Sequence, residues 1–192
     1  MARASAAVAA ETARRILEVA TTHFADHGYT AASVDEVARA AGVTRGAVYH
    51  HYRSKPQLFT AVASAQQQLI AEAITETTEG RDAGAGLRIG SHAFLDAITQ
   101  GAASRVLLID GPAVLSWEEW RRLDADGPAV LLREGLAEAG ADSTLLDALT
   151  AALSGAMNEL ALWLSERPTD AVARSLAHES LDLLLDAVAP RR

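Results

Sequence analysis

The sequence predicts an all-α protein, and three observations support this fold class. Alanine, the residue with the highest helix propensity, occurs 42 times among the 192 residues, whereas only five prolines interrupt the chain. Apolar residues recur at spacings of three and four along most of the sequence, as they do on one face of a helix. Hydrophobic residues make up 49% of the chain and charged residues 22%, so the chain can bury a core and is not intrinsically disordered.

Several classes of protein are excluded by what the sequence lacks. It contains no cysteine, which excludes disulfide scaffolds, thiolate zinc sites and cysteine nucleophiles. No apolar run approaches the roughly 18 residues of a membrane span, so we expect no membrane partner. Residues 1–10 lack the apolar core of a signal peptide, and we interpret them as a flexible tail on a cytoplasmic protein. No Gly-x-Ser-x-Gly motif, phosphate loop or dinucleotide-binding glycine pattern occurs, so we expect neither an enzyme nor a cofactor.

The first helix is predicted from Ala13 to about Gly28. Apolar residues follow helical spacing from Ala13 onward, and glycine tolerates the left-handed conformation that ends a helix. His23 and His27 have the i, i+4 spacing of metal ligands. They lie close to the helix end, where a histidine more often contacts free backbone carbonyls, so we expect no metal site.

Two short helices follow, joined by a tight turn. Ser33 and Glu36 predict a capping box at the start of the second helix, which Gly42 ends. Thr44 can cap a third helix that runs through Tyr49. This arrangement has helix-turn-helix geometry, in which the second helix of the pair enters the major groove of DNA by its N-terminal end. A three-helix bundle without a role in DNA binding has the same spacing and stays an alternative at this point.

The third helix carries side chains whose chemistry suits DNA. Arg45 can read guanine with two hydrogen bonds, and Ala47 can contact a thymine methyl group. Residues 1–55 hold seven basic and five acidic residues, a net charge of +2, whereas residues 56–192 hold ten and twenty, a net charge of −10. A mildly basic N-terminal region can bind phosphates while the acidic remainder of the chain is repelled by them. A net charge of +2 over 55 residues is also compatible with chance.

Residues 24–58 read FADHGYTAASVDEVARAAGVTRGAVYHHYRSKPQL, a stretch that resembles the DNA-binding domain of TetR-type (TetR/AcrR) transcriptional regulators. The resemblance implies an N-terminal three-helix helix-turn-helix domain over residues 11–55. It also implies a C-terminal helical domain over residues 56–192 that senses a small-molecule effector and dimerises. It further implies about nine helices in total. The protein is then expected to bind a palindromic operator in double-stranded DNA as a homodimer.

The residues and the resemblance together predict which side chains face DNA. In the family pattern the third helix contacts the operator, and a lysine at the start of the fourth helix binds a phosphate. Tyr52, where phenylalanine is usual, and Pro56, where an acidic residue is common, depart mildly from this pattern. The predicted DNA-binding residues are Ser33, Thr44, Arg45, Gly46, Ala47, Tyr49, His50 and Lys55.

The middle of the chain predicts the helices of a sensor module. Capping boxes at Ser54–Gln57 and Ser116–Glu119 define two helix starts, and Gly111-Pro112 ends one short helix. The predicted segments are a helix over residues 54–79, a glycine-rich loop or broken helix start over residues 80–90, a helix through residues 94–98, a short helix over residues 104–109, and a helix from Trp117 towards Gly140 with a break at Gly127-Pro128.

The last two helices, over residues 146–164 and 171–188, are predicted to form a dimer interface. The first has a bulky stripe opposite a face of small residues, and the polar side chains of the second occupy only a narrow sector. Because a surface helix needs only one apolar stripe, such helices require burial on two sides, either in a four-helix bundle with a second copy or deep inside a monomer. The predicted interface residues are Ala148, Ala152, Gly155, Leu162, Leu176, Leu183 and Leu184.

The sequence indicates an effector site less clearly than it indicates the DNA-binding residues, because aromatic residues in helical proteins are more often core residues than ligand contacts. Asn158 is the most informative, since a polar amide within an apolar helix needs a partner. The candidates are His92, Phe94, Asp110, Trp117, Trp120, Met157, Asn158 and Trp163. The function predicted from the sequence is therefore a ligand-responsive transcriptional regulator, a repressor released by its effector. An activator of the same fold, or a helical adaptor without DNA binding, remains an alternative.

Overall fold

The computed structural model describes residues 2–188, with side chains from residue 6 onward, and confirms the all-α prediction. Residues 2–188 contain no β-strand, and no helix among them is long and apolar enough to cross a membrane. The helices are α1 (Ala2–Ala31), α2 (Val34–Ala40), α3 (Arg45–Tyr52), α4 (Lys55–Thr78), α5 (Ala83–Ile98), α6 (Gly101–Ala103), the π-helix π1 (Ser104–Asp110), α7 (Gly111–Val114), α8 (Trp117–Ala125), α9 (Pro128–Glu138), α10 (Leu146–Ser165) and α11 (Ala171–Val188).

The first helix begins earlier than the sequence predicts. It starts at Ala2, so residues 2–10 are helical where a flexible tail is predicted; Met1 lies outside the described residues. The high helix propensity of this alanine-rich segment accounts for the difference. At Gly28 the backbone has φ 75° and ψ 167°, which interrupts the helix at the predicted residue before a last turn that ends at Ala31.

The predicted capping boxes form to different extents. The Ser33 hydroxyl accepts a hydrogen bond from the Asp35 backbone N–H at 3.2 Å, so the predicted pairing with Glu36 is wrong. Ser54 accepts from the Gln57 backbone N–H at 3.2 Å. At the start of α8 the complete box is present, because Ser116 and Glu119 each bond the other's backbone N–H.

The glycine-rich segment 80–90, predicted as a loop or a broken helix start, contains a helix start, because α5 begins at Ala83. Asp82 caps α5 by accepting from the Ala85 backbone N–H at 3.1 Å, and the glycines after Gly80 lie inside the helix. A Cβ atom on Gly90 would lie 3.1 Å from Thr78 and 3.2 Å from Ile74. A larger residue at this position would therefore crowd the Thr78 and Ile74 side chains where α4 packs against α5.

The segment that the sequence predicts as a short helix ended by Gly111-Pro112 is π1, and it continues into α7 instead of ending. A Cβ atom on Gly111 would lie 2.9 Å from the Val106 carbonyl oxygen, so only glycine fits where the widened π-turn closes. The predicted break at Gly127-Pro128 is confirmed, since α8 ends at Ala125 and α9 begins at Pro128.

The last two helices pack against the body by one face each. Their buried residues are Leu146, Leu153, Met157, Asn158, Ala161 and Leu164 in α10, and Ala173, Ala177, Leu181 and Leu185 in α11. The α11 bounds match the prediction; residues 189–192 lie outside the described part of the chain.

Candidate nucleic-acid interface and ligand cavity

The helix α3 stands on the surface with its N-terminal end exposed. Gly42, at φ +64°, turns the chain between α2 and α3, and the Thr44 hydroxyl caps α3 by accepting from the Ala47 backbone N–H at 3.1 Å. Val48 is buried at 1% exposure and anchors the inner face of the helix. The exposed residues of the segment are Thr44, Arg45, Gly46 and His50, while Ala47 and Tyr49 are half-buried. The segment therefore presents its N-terminal end to solvent rather than to the core.

Arg45 is held in place by two neighbours. Its Nη1 atom lies 3.0 Å from the Asp35 carboxylate, and its guanidinium carbon lies 5.4 Å from the centre of the Tyr49 ring. Both side chains of the ion pair are more than half exposed, so the pair is weak in water and can exchange for another acceptor.

Lys55 lies at the start of α4, beside α1. Its Nζ atom donates to the Thr30 carbonyl oxygen at 3.3 Å and lies 4.5 Å from the centre of the Tyr29 ring. The stacking holds the ammonium group at the N-terminal end of a long helix. Ser33, the remaining predicted DNA-binding residue, is half-buried and caps α2.

A polar joint connects the N-terminal helices to π1. The Asp110 carboxylate, 16% exposed, accepts a hydrogen bond from the Tyr29 backbone N–H at 2.9 Å and lies 3.5 Å from Arg105 Nε. The Arg105 guanidinium packs over Gly28, where a Cβ atom would lie 2.3 Å from Nη2. Asp110, predicted as an effector contact, is thus part of this joint.

A cavity of about 200 Å³ lies among α4, α5, α8, α9 and α10. Of the eight predicted effector contacts, Phe94 and Met157 line it. Its walls also include side chains that sequence reasoning missed, above all Asp124, which is buried at 8% exposure and accepts a hydrogen bond from the Ser154 hydroxyl at 2.7 Å. The lining residues are Ile74, Thr78, Arg81, Asp82, Gly86, Leu87, Gly90, Ser91, Phe94, Asp124, Pro128, Ala129, Leu131, Leu132, Glu134, Gly135, Glu138, Ser154 and Met157.

The other predicted effector contacts lie outside this lining. Trp117 is 72% exposed and stacks on Trp120, and Trp163 is covered by the Arg167 guanidinium. Asn158 is buried next to the cavity residues, and its amide nitrogen donates to the Ser154 carbonyl oxygen at 3.0 Å. Its side-chain oxygen has no hydrogen-bond partner in the described part of the chain.

His92 belongs to a polar layer between α5 and α11. Its Nδ1 atom lies 2.6 Å from Nδ1 of His178, and its Nε2 atom lies 3.1 Å from Asp182. Arg88 pairs with both Asp182 and Asp186. Burial raises the pKa of Asp182, but hydrogen bonds from Arg88 and His92 outweigh it, so the pKa lies below its ordinary value. His178, Asp182 and Asp186 therefore face the protein body, next to the buried apolar residues of α11.

Other apolar residues of α11 lie on its exposed side, opposite the buried Leu181 and Leu185. Leu183 is 73% exposed and Leu176 is 50% exposed. On α10, a Cβ atom on Gly155 would have no neighbouring atom within 4 Å, and the small residues beside it are exposed too. All seven predicted interface residues, Ala148, Ala152, Gly155, Leu162, Leu176, Leu183 and Leu184, are exposed in the single chain.

No group of three or more His, Asp or Glu side chains within residues described by the structure could hold a metal ion. His23 and His27 stack with ring centres 5.4 Å apart, and His27 Nδ1 lies 3.1 Å from the His23 carbonyl oxygen, so the pair is engaged with itself and the helix backbone.

The outward α3, its supporting α1 and α2, and the helical body with its cavity define the class of helix-turn-helix regulators. Residues 16–62 match the family model for bacterial regulatory proteins of the tetR family, and residues 85–188 match the model for the tetracyclin repressor-like C-terminal domain. The chain belongs to the TetR family, which consists of DNA-binding transcriptional regulators rather than enzymes.

Individual relatives agree with this assignment. The chain is 46% identical over 67 residues to the transcriptional regulator SrpR of Pseudomonas putida, a match that covers 35% of this chain and 32% of SrpR. The matched part therefore spans about a third of that relative's length.

Solved structures extend the similarity to nearly the whole chain. A TetR-family regulator from Pectobacterium atrosepticum is 25% identical, with a TM-score of 0.79 and coverage of 96% of this chain and 97% of that one. The regulator FadR from Bacillus subtilis, solved with stearoyl-CoA, shares the fold at 17% identity, with a TM-score of 0.72 and coverage of 93% and 99%.

Proposed function

We propose that the protein is a ligand-responsive repressor that binds a palindromic operator as a homodimer and is released by a small-molecule effector. The observation that carries the proposal is the exposed α3, with Arg45 at its N-terminal end and Lys55 beside it. The segment has the shape and chemistry of a helix that reads the major groove. A regulator of this kind acts in the cytoplasm, where the operator lies.

Arg45 is the proposed base-reading residue. Its ion pair with Asp35 and its contact with Tyr49 orient the guanidinium at the exposed start of α3. On DNA the exposed Asp35 carboxylate is exchanged for guanine, whose two acceptors match the guanidinium fork.

The neighbouring polar residues are proposed to hold the phosphate backbone. Lys55 is half-buried, but its bond to the Thr30 carbonyl oxygen lies at the surface, where the ammonium group can exchange this oxygen for a phosphate. The Ser33 and Thr44 hydroxyls keep a free proton because they cap their helices as acceptors. Tyr49 and His50 lie on α3, the helix that Thr44 caps, and are proposed to contact phosphates as well. Contacts of this kind fix the position of α3 without reading sequence.

Two further features support a dimer with an allosteric response. The exposed apolar face of α10 and α11 is suited to a second copy, because large unpaired apolar surfaces mark interaction sites. The cavity is walled partly by α4, whose first residue is Lys55, so an occupant that prefers one position of α4 shifts the orientation of α3. The ligand can shift the equilibrium between the two positions of α4 only by the difference in its affinity for them.

Fluorescence anisotropy with labelled DNA from the flanks of the protein's own gene tests the proposal. Arg45→Ala should weaken binding by about 1–3 kcal/mol and relax preference at one base pair in each half-site. Lys55→Ala should weaken binding to all sequences and reduce the salt dependence by about one unit of slope.

Arg133→Ala is a matched control, because Arg133 is exposed on α9 and pairs with Asp147, away from the proposed interface. It should leave DNA affinity unchanged. Equal losses for Arg133→Ala and Arg45→Ala, or no operator binding by the wild-type protein at any site, would contradict the proposal and favour an adaptor without DNA binding.

A further inference from the structure

Asp124 is a buried carboxylate without a cationic partner. It lies at the end of α8 in the cavity wall, is 8% exposed, and receives one hydrogen bond, from Ser154. No Lys, Arg or His side chain lies within ion-pair distance of it in the part of the chain that the structure describes. Ser154 bonds only the Oδ2 atom, so the other carboxylate oxygen can accept hydrogen bonds from an occupant of the cavity.

The rim of the same cavity is acidic. Asp82, Glu134 and Glu138 are exposed around its mouth, and Arg81 is the one basic residue among the described residues that line the cavity. With Asp124, the lining carries four acidic residues and one basic residue, a net charge of −3. Charges of one sign around a cleft attract ligands of the opposite sign and repel those of the same sign.

The remaining walls are mostly apolar. Ile74 and Leu87 come from the facing helices α4 and α5, and Phe94, Leu132 and Met157 are buried around the same space. An apolar cavity with one buried polar anchor binds a ligand that has an apolar body and one complementary group. The complementary group for a carboxylate is a protonated amine, which supplies both the charge and the hydrogen-bond donors.

We infer that the cavity binds an organic cation, an apolar body carrying a protonated amine, with Asp124 as its counter-ion. The inference rests on the proposed function, since it names the class of effector. Ser154 positions the Asp124 carboxylate, and the acidic rim increases the local concentration of cations at the mouth. An anionic ligand would face three carboxylates at the rim and a fourth at the base.

Isothermal titration calorimetry with three probes of similar shape tests this inference. The probes are 4-phenylbutylamine, which is protonated at neutral pH, the neutral 4-phenylbutan-1-ol and the anionic 4-phenylbutanoate. The wild-type protein should bind the amine about tenfold or more tightly than the alcohol, and the carboxylate should bind least. Equal affinities for amine and alcohol, absence of amine binding, or tighter binding of the carboxylate would overturn the inference.

Two variants test whether Asp124 causes the preference for the amine over the alcohol. Asp124→Asn keeps an acceptor for the Ser154 hydroxyl but removes the charge, so the ratio of amine to alcohol affinity should fall to about one. Asp126→Asn is the matched control, because Asp126 lies two residues further along, is exposed and does not line the cavity. It should keep the wild-type ratio. If Asp124→Asn keeps that ratio too, Asp124 is not the counter-ion. The wild-type comparison of probes needs no variant to fold.

Operator release separates this inference from the proposed function. Anisotropy with operator DNA is measured with and without the amine. Amine binding through Asp124 without a change in operator affinity supports the ligand class and contradicts the effector role. Operator binding by the free protein together with equal affinities for all three probes contradicts the ligand class and leaves the DNA-binding proposal intact.

Discussion

Leu183 offers the sharpest test of the proposed dimer. Its side chain is 73% exposed on the outer face of α11. Burying a whole leucine side chain contributes about 1.5–3 kcal/mol, so covering the exposed part of Leu183 contributes about 1–2 kcal/mol. A two-fold interface contains the residue twice, once from each copy. Leu183→Ala should therefore weaken dimerisation by about 2–4 kcal/mol, or about 30- to 700-fold in the dissociation constant.

Sedimentation equilibrium over a dilution series measures this constant directly. Leu69→Ala is the control, since Leu69 is 57% exposed but lies on α4, outside the proposed interface. It should leave the constant within about 0.5 kcal/mol of the wild-type value. Folding of the single chain should hardly change in either variant, because both side chains are mainly exposed. A Leu183→Ala dimer as stable as the wild type would refute the assignment of this face.

Three further results are expected for the folding and stability of the chain. Asp110→Ala should lower the free energy of unfolding in urea by about 1–3 kcal/mol, because the Tyr29 backbone N–H loses its acceptor. Asp110→Asn keeps an acceptor and should lower this free energy less. Equal decreases for the two variants would contradict the role of Asp110. The pKa of Asp182 is lowered in the folded state, so the stability from this carboxylate is fully present above its unfolded pKa of about 3.9 and is lost as the pH falls through its lower folded pKa. Thermal unfolding of Asp182→Asn should accordingly depend less on pH in this acidic range than that of the wild type, and parallel profiles would argue against the ion pairs with Arg88. Gly28→Ala should lower the free energy of unfolding in urea by about 1–3 kcal/mol, because a residue with a Cβ is strained at φ 75° and would displace Arg105. An unchanged urea midpoint would contradict this expectation.

The N-terminal helix-turn-helix region is predictable because its signals are local. The Thr44 cap, the turn at Gly42 and the interruption at Gly28 each depend on residues within a few positions of one another. The capping box of Ser116 with Glu119 is of the same kind. The Ser33 cap shows the limit of such signals: the sequence correctly predicts a serine at the helix start, but this serine bonds to the Asp35 backbone N–H.

The cavity is not predictable in the same way, because its walls come from five helices. Of the side chains that the sequence suggests as effector contacts, Phe94 and Met157 lie in its lining, but Trp117 faces solvent and Asp110 bonds to Tyr29. Helical spacing places Asp124 four residues after Trp120, on the apolar side of α8, but it does not show that a cavity lies there. Its burial depends on the position of Ser154, thirty residues further along the chain.

The amino-acid sequence is sufficient for the all-α class, the order of the main helices, the helix-turn-helix and the two C-terminal helices with apolar residues on more than one face. These features follow from helix propensity, caps and periodicity, which act over one or two turns. Only the tertiary structure decides that Asp182 of α11 faces α5, that Leu183 faces outward while Leu181 is buried, and that Asp124 lies in the wall of a cavity. Those facts depend on which helix faces are brought together, and side chains far apart in the chain contribute to that choice through packing and desolvation.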